Sequence, residues 1–430
     1  MSLKVIADVY QNQYLAAGAR EINAIVSVSA EGSAGDGSTQ TRVFGFIIDK
    51  STSMEGERIR QAREATAVAI GLLQPTDWFF VVVGNEGSQT LIKLRQATAD
   101  SIRYAQDAVR RIQEQGGTAI GNWLVEAKGE FDKARQQLGS TIICQAIMLT
   151  DGKNNNQTPE ELTRCLEQVD GAFQCDCRGV GLDWEPKELM RIADKMLGTA
   201  DIVAKPADLV ADFTAIMQAA QGKSVSEVVL SLWAPAGAEV VFVKQTSPDL
   251  LELTDRAKVD PAKPLIRNYP TGAWGTEDRQ YHLCIRVAAA GNVGDEMRVG
   301  RATLVYTENG TPTKIMDKAI VAIWTDDDAK SAIIEPHVAH ATGQAELAQL
   351  IKEGTDALGR GDQATATSKL GAAVKIAHES GNEGTKRLLE RVVEVEDAGK
   401  GTVRLRKDAG KEEAMTLETR SRRTSRISTQ

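Results

Sequence analysis

Asp49, Ser51 and Ser53 alternate within Phe46-Ile47-Ile48-Asp49-Lys50-Ser51-Thr52-Ser53-Met54, where an apolar run stops at a carboxylate. Spaced two residues apart, they share one side of an extended segment and can converge on a single ion. Carboxylate and hydroxyl oxygens are hard donors, suited to Mg2+, Mn2+ or Ca2+. Two distant fragments offer the same chemistry. Thr118 follows a glycine pair in Gly116-Gly117-Thr118-Ala119, and Asp151 ends a second apolar run, Ala146-Ile147-Met148-Leu149-Thr150-Asp151-Gly152. Asp and Ser often cap a following helix, but that role accounts for the first fragment alone. Two carboxylates and three hydroxyls leave a divalent ion with a coordination position that water or an outside carboxylate can fill.

Residues so far apart need a scaffold that brings strand ends together. The continuously apolar runs Val43 to Ile48 and Thr141 to Thr150 read as strands buried on both faces, as in a parallel sheet covered by helices. Around them strand and helix alternate: Glu57 to Leu73 helical, Trp78 to Gly84 extended, Asp100 to Gln113 and Ala119 to Gln137 helical. The alternation continues through Pro159 to Asp170, Gln174 to Gly181, Pro186 to Leu197, Ala200 to Ala204 and Ala207 to Gln221. This is the doubly wound α/β pattern with a mostly parallel sheet, and such sheets bind ligands at the carboxyl edge of their strands.

The order Asp-x-Ser-x-Ser, then Thr, then Thr-Asp-Gly resembles the metal-ion-dependent adhesion site of von Willebrand factor type A (VWA) domains. The resemblance covers about Thr41 to Gln221, and its specificity lies in three separated fragments falling in order on a matching α/β alternation. It implies that Asp49, Ser51, Ser53 and Thr118 hold a Mg2+ ion (or Mn2+ or Ca2+) directly or through water, and that Asp151 acts through water. Lys50 and Thr52, alternating with these residues, should point elsewhere.

At 430 residues, the chain exceeds the usual size of one core. It divides in sequence into N-terminal strands (1–40), the VWA segment (41–222), a β-sandwich segment (223–328), an α-helical hairpin or bundle (329–398) and a tail (399–430). Strand-like runs at Lys4 to Tyr10 and Ile22 to Ala30 would be marginal as a lone pair. They find partners among runs at Ser224 to Trp233, Ala238 to Lys244, Gln280 to Ala288, Glu296 to Tyr306 and Asp317 to Trp324. The α/β domain is therefore expected to be inserted in a β-sandwich, with Trp233, Trp274 and Trp324 in its core and Glu31 to Gln40 as a linker. Helices are predicted over Gln344 to Leu358, Gln363 to Glu379 and Gly384 to Glu394, with His337 and His340 on the surface at a helix start. The tail lacks an apolar face and should be disordered alone. Its Thr416, Thr419 and Thr424 among arginines are candidate targets of a Ser/Thr kinase, and phosphate there could meet a phosphothreonine-reader domain.

A formal charge of −8 argues against nucleic acid as a partner. No stretch is long enough to span a bilayer, and the amino terminus has no signal-peptide pattern, which points to the cytoplasm. Five cysteines without framework spacing fit a reducing compartment. The expected function is a non-enzymatic, divalent-metal-dependent interaction module whose protein partner offers an Asp or Glu to the ion. The resemblance to cytosolic bacterial members implies an assembly or signalling complex. A Mg2+-dependent phosphoryl-transfer enzyme is the competing class, but it would want further carboxylates where Ser51 and Ser53 stand. A secreted adhesin is disfavoured by the missing signal pattern.

Overall fold

The computed structural model describes residues 3–32, 41–308 and 311–424. Three strands open the chain, β1 (Leu3–Gln11), β2 (Tyr14–Ala16) and β3 (Glu21–Gly32), and belong to a unit completed much later in sequence. The intervening linker expected up to Gln40 lies outside the described residues from 33 onward.

The first compact unit spans Ser33–Glu227 with a short return at Gly272–Gly275. Its described elements run β4 (Arg42–Asp49), α1 (Glu57–Gly71), β5 (Trp78–Gly84), β6 (Ser88–Gln96), α2 (Ala99–Arg110), α3 (Ile120–Leu138) and β7 (Ile143–Thr150). They continue through α4 (Pro159–Val169), β8 (Gln174–Val180), α5 (Pro186–Lys195), β9 (Ala200–Val203) and α6 (Leu209–Gln221) to β10 (Lys223–Val225). The sheet order is β6-β5-β4-β7-β8-β9, parallel throughout except for the antiparallel β5/β6 hairpin. The order reverses beside β4: the chain moves outward to β5 and then crosses to β7. This switch point puts the carboxyl ends of β4 and β7 side by side, where such sheets open a crevice. Strands β4 and β7 are apolar because helices cover both faces; Val43, Phe44, Phe46, Ile47 and Ile48 are all 1% exposed or less.

Strand β6 was not expected. Its sequence, Ser-Gln-Thr-Leu-Ile-Lys-Leu-Arg-Gln, carries polar residues on an edge with only Ile92 buried, so the apolar signal of a buried strand is missing. Cys175 and Cys177 are buried on one face of β8 and pack as small apolar groups.

The second unit combines β1–β3 with residues after Glu227. Its strands are β11 (Val228–Trp233), β12 (Glu239–Ser247), β13 (Leu251–Glu252), β14 (Lys258–Asp260) and β15 (Lys263–Pro270), followed by β17 (Glu277–Arg286), β18 (Glu296–Glu308) and β19 (Thr311–Thr325). Between these, β16 (Trp274–Gly275) pairs with β10 within the first unit. One sheet runs β1-β3-β17-β12-β13 and the other β14-β15-β11-β18-β19-β2. Trp324 is buried here, whereas Trp233 is half-buried; Trp274 is buried but belongs to the first unit.

Helices α7 (Asp328–Ser331), α8 (Pro336–Gly359), α9 (Gln363–Glu379) and α10 (Glu383–Val392) follow, then the hairpin β20 (Val393–Asp397) and β21 (Thr402–Leu405), and finally α11 (Lys411–Arg420). His337 is not a free surface histidine: its ring stacks on Tyr10 at 3.6 Å, and Nδ1 lies 2.6 Å from Glu335 Oε1.

The disordered tail is overturned up to residue 424; residues 425–430 lie outside the described residues. Val403 and Leu417 join Leu347, Ile351, Leu370 and Leu389 in one apolar core, so β21 and α11 are held by burial. Thr416 and Thr419 are buried on α11, where Thr419 Oγ1 donates to Met415 O at 2.9 Å. The Thr424 hydroxyl donates to the Thr246 and Pro248 carbonyls, and Asp249 forms a bridge with Arg423. Thr416 and Thr419 are therefore closed to a kinase in the folded chain.

Candidate functional site

Asp49 is the last residue of β4 and is fully buried, as is Asp151, which follows β7. Beyond Asp49 the chain turns into a short 3-10 segment, Thr52–Met54. The Ser51 amide donates to Asp49 Oδ1 at 2.7 Å, which folds the segment back over the strand end. The Ser51 and Ser53 hydroxyls are 3.0 Å apart, and Ser53 Oγ donates to Asp151 Oδ1 at 2.7 Å. Asp49 Oδ2 accepts the Thr150 hydroxyl at 2.6 Å. Ser53 is exposed while Ser51 is buried, so the cluster reaches from the interior to solvent. Thr52 is exposed and forms no part of it.

Thr118 is brought in by a separate device. The loop Gln115-Gly116-Gly117 is tied to the β4 loop, with Gln115 N donating to Lys50 O at 2.7 Å and Thr52 N to Gly116 O at 2.9 Å. Gly116 has φ +83, and a Cβ on Gly117 would stand 1.9 Å from Asn156 Oδ1, so both positions exclude a side chain. Helix α3 has no side-chain cap from its own N-cap residue, Ala119. The amide run Asn154-Asn155-Asn156-Gln157 supplies the acceptors instead. Thr118 N donates to Asn156 Oδ1 at 2.8 Å, Ile120 N to Asn154 Oδ1 at 3.1 Å and Gly121 N to Gln157 Oε1 at 2.8 Å. Asn156 N returns a bond to Thr118 O at 2.9 Å.

The structure thus brings all five predicted residues to one place. Gly152 shows how closely: a Cβ built there would lie 3.3 Å from Ser53 Oγ and 3.4 Å from Thr118 Oγ1. The space between these hydroxyls is open because residue 152 has no side chain.

Burial pushes the Asp49 carboxyl up to about 6, and the nearby charge of Asp151 adds to the rise; hydrogen bonds from Ser51 and Thr150 oppose it. A carboxylate so placed is short of positive charge. Among the described residues, no group of three or more His, Cys, Asp or Glu side chains is arranged to hold a metal. The donor set here is of another kind, two carboxylates with hydroxyls, and it fits a hard divalent cation.

Sequence reasoning missed Arg58. It lies in the first turn of α1, with Nη1 2.6 Å from Asp151 Oδ2 and Nη2 2.7 Å from Asp183 Oδ2. It also missed the amide run; four consecutive side-chain amides after Asp151 were a legible signal of backbone capping.

The comparisons bear on both units. Residues 44–153 match the family model for the von Willebrand factor type A domain, and residues 375–421 match that for the von Willebrand factor type A C-terminal domain. A solved von Willebrand factor type A protein from Catenulispora acidiphila is 42% identical, with the match covering 99% of this chain and 98% of that one at a TM-score of 0.92. The ArnB paralog VWA2 from Sulfolobus acidocaldarius shares the fold at 14% identity, with 98% of each chain covered and a TM-score of 0.58. The inter-alpha-trypsin inhibitor heavy chain 4 of Mus musculus is 34% identical over 145 residues, 32% of this chain. The match spans 15% of that protein's length. Agreement along almost the whole chain with the Catenulispora acidiphila protein, on a fold whose strand ends gather the Asp-x-Ser-x-Ser, Thr and Asp residues, shows that this chain belongs to the von Willebrand factor type A domain proteins.

Proposed function

We propose that the chain is a non-enzymatic, divalent-metal-dependent protein-interaction module. Asp49, Ser51, Ser53 and Thr118 would hold a Mg2+ ion, directly or through water, with Asp151 behind them. When bound, the ion supplies concentrated positive charge and an open coordination position, suited to an Asp or Glu of a protein partner. The single observation that carries this reading is the convergence of the Ser53 and Thr118 hydroxyls on the space left by Gly152, beside two fully buried carboxylates.

This chain's own groups prepare the site. The Ser51 amide and Thr150 hydroxyl fix both oxygens of Asp49. The amide run fixes Thr118 by its backbone, leaving its hydroxyl uncommitted to helix capping. The hydroxyls of Ser51 and Ser53 take positions where a phosphoryl-transfer enzyme would want carboxylates, which favours binding over catalysis. We place the module in a cytoplasmic assembly or signalling complex; the five free cysteines agree with a reducing compartment. Among the described residues, no helix is long and apolar enough to cross a membrane.

Calorimetry with Mg2+ tests the ion, and capture experiments with wild type and Ser51→Ala, each in Mg2+ and in EDTA, test the partner. The reading expects saturable Mg2+ binding by wild type, its loss in Ser51→Ala, and partners retained only by wild type in Mg2+. Equal Mg2+ binding by both proteins would reject it.

A further inference from the structure

Arg58 stands out because its charge is committed inward. Its side chain is 29% exposed, yet one guanidinium nitrogen lies 2.6 Å from the buried Oδ2 of Asp151 and also reaches Ser53 O at 3.3 Å. The opposite nitrogen pairs at 2.7 Å with Asp183, whose side chain is 62% exposed. The two other arginines near the start of α1 do not do this: Arg60 pairs with Glu57 and Arg63 with Glu114. Asp151 is therefore shared. Oδ1 accepts the hydroxyl of Ser53, and Oδ2 faces a full positive charge supplied by the chain itself.

We propose that Arg58 is an internal cation that competes with the divalent ion for the negative charge of the site, and that Asp183 moderates this competition by drawing the guanidinium outward. The inference rests on the metal reading above and concerns how that site is regulated. A dication and a guanidinium beside the same buried carboxylate repel each other, and at a partly desolvated position the repulsion is not fully screened. Occupation by the ion then weakens the Arg58–Asp151 pair, and Asp183 is the waiting acceptor. The arrangement keeps the site from binding divalent ions at its maximal affinity.

Two substitutions should move ion affinity in opposite directions. Arg58→Gln removes the competing charge and retains a polar, shorter side chain; it should tighten Mg2+ on the order of tenfold. Asp183→Asn leaves the guanidinium with Asp151 as its remaining acidic partner and should weaken Mg2+ by about two- to fivefold, since Asp183 is exposed and its pair is screened. Arg58→Lys keeps the charge and should stay near wild type. Calorimetric titration of the full chain with MgCl2 reads all three, with thermal denaturation confirming folding and Ser51→Ala as the control that removes the site. Tighter binding by Arg58→Gln with weaker binding by Asp183→Asn supports the inference. Equal or weaker binding by Arg58→Gln, or tightening by both variants, overturns it while leaving the metal reading in place. No Mg2+ binding by wild type or any variant overturns both.

Discussion

Ser53 Oγ donates to Asp151 Oδ1 over 2.7 Å, joining two residues 98 positions apart in sequence. The same hydroxyl lies 3.0 Å from Ser51 Oγ, so one exposed serine ties the β4 loop to the end of β7. Ser53→Ala cuts this tie without opening a core. The expected outcome is a stability change within about 1 kcal/mol with Mg2+ affinity lowered tenfold or more, compared by chemical denaturation and calorimetry.

Asp49 carries a buried charge that the ion-free protein balances poorly, its carboxyl being raised to about 6 by burial. An amide of the same shape avoids that cost. Asp49→Asn should therefore stabilise the ion-free chain at pH 7.5 by about 1–3 kcal/mol and abolish any rise in melting temperature caused by Mg2+. Denaturation with and without EDTA checks both outcomes; a destabilised Asp49→Asn would contradict the first.

His282 governs part of the acid response of the sandwich. Burial, aided by Lys244, lowers its pKa from 6.5 to about 4, and its Nε2 lies 3.0 Å from Asn23 Oδ1. The unfolded state thus binds a proton more readily than the folded state. Stability from this group is complete above pH 6.5 and is lost as the pH falls toward 4, by up to about 3 kcal/mol. His282→Gln should flatten the dependence over that window, seen as the difference in unfolding free energy between the two proteins at pH 7 and pH 5.

The amide run after Asp151 couples helix capping to the candidate site. Asn156→Ala removes the nearer of two acceptors for Thr118 N, Asn155 Oδ1 remaining at 3.2 Å, and should cost about 1 kcal/mol, as loss of one hydrogen bond does. It should also weaken Mg2+ severalfold by loosening Thr118. Unchanged affinity beside the expected loss of stability would separate the two roles.

Thr419 is buried on α11, so a charge there has nowhere to go. Thr419→Glu should destabilise the second unit by about 2–4 kcal/mol, detectable as a lowered transition in calorimetric melting. A kinase should modify Thr416 or Thr419 only after the helix has been unfolded, which mass spectrometry of native and denatured samples can establish.

The α/β alternation was legible because strands covered on both faces are written as unbroken apolar runs, as in Val43 to Ile48. The site was legible because hydroxyls two residues apart after such a strand have few structural reasons to recur with a distant Thr and Asp. Strand β6 was hidden by its polar edge. Helix α11 was hidden for another reason: it buries Thr416 and Thr419 beside Met415 and Leu417, and threonine does not register as an apolar face. Arg58 could not be singled out from Arg60 and Arg63, because only the packing of α1 decides which of the three meets Asp151.

Strand β3 lies antiparallel to β17, and the Glu21–Arg286 ion pair at the end of that ladder joins residues 265 positions apart. Synthesis runs in one direction, so the first hairpin leaves the ribosome long before its central partner exists. The α/β unit between them is almost fully translated in that interval and can close on itself, whereas the waiting strands expose a pairing edge. The sandwich thus has a built-in delay: its maturation is paced by translation of the domain it encloses in sequence, and conditions that stall elongation between Gly32 and Glu277 should raise aggregation of the nascent chain.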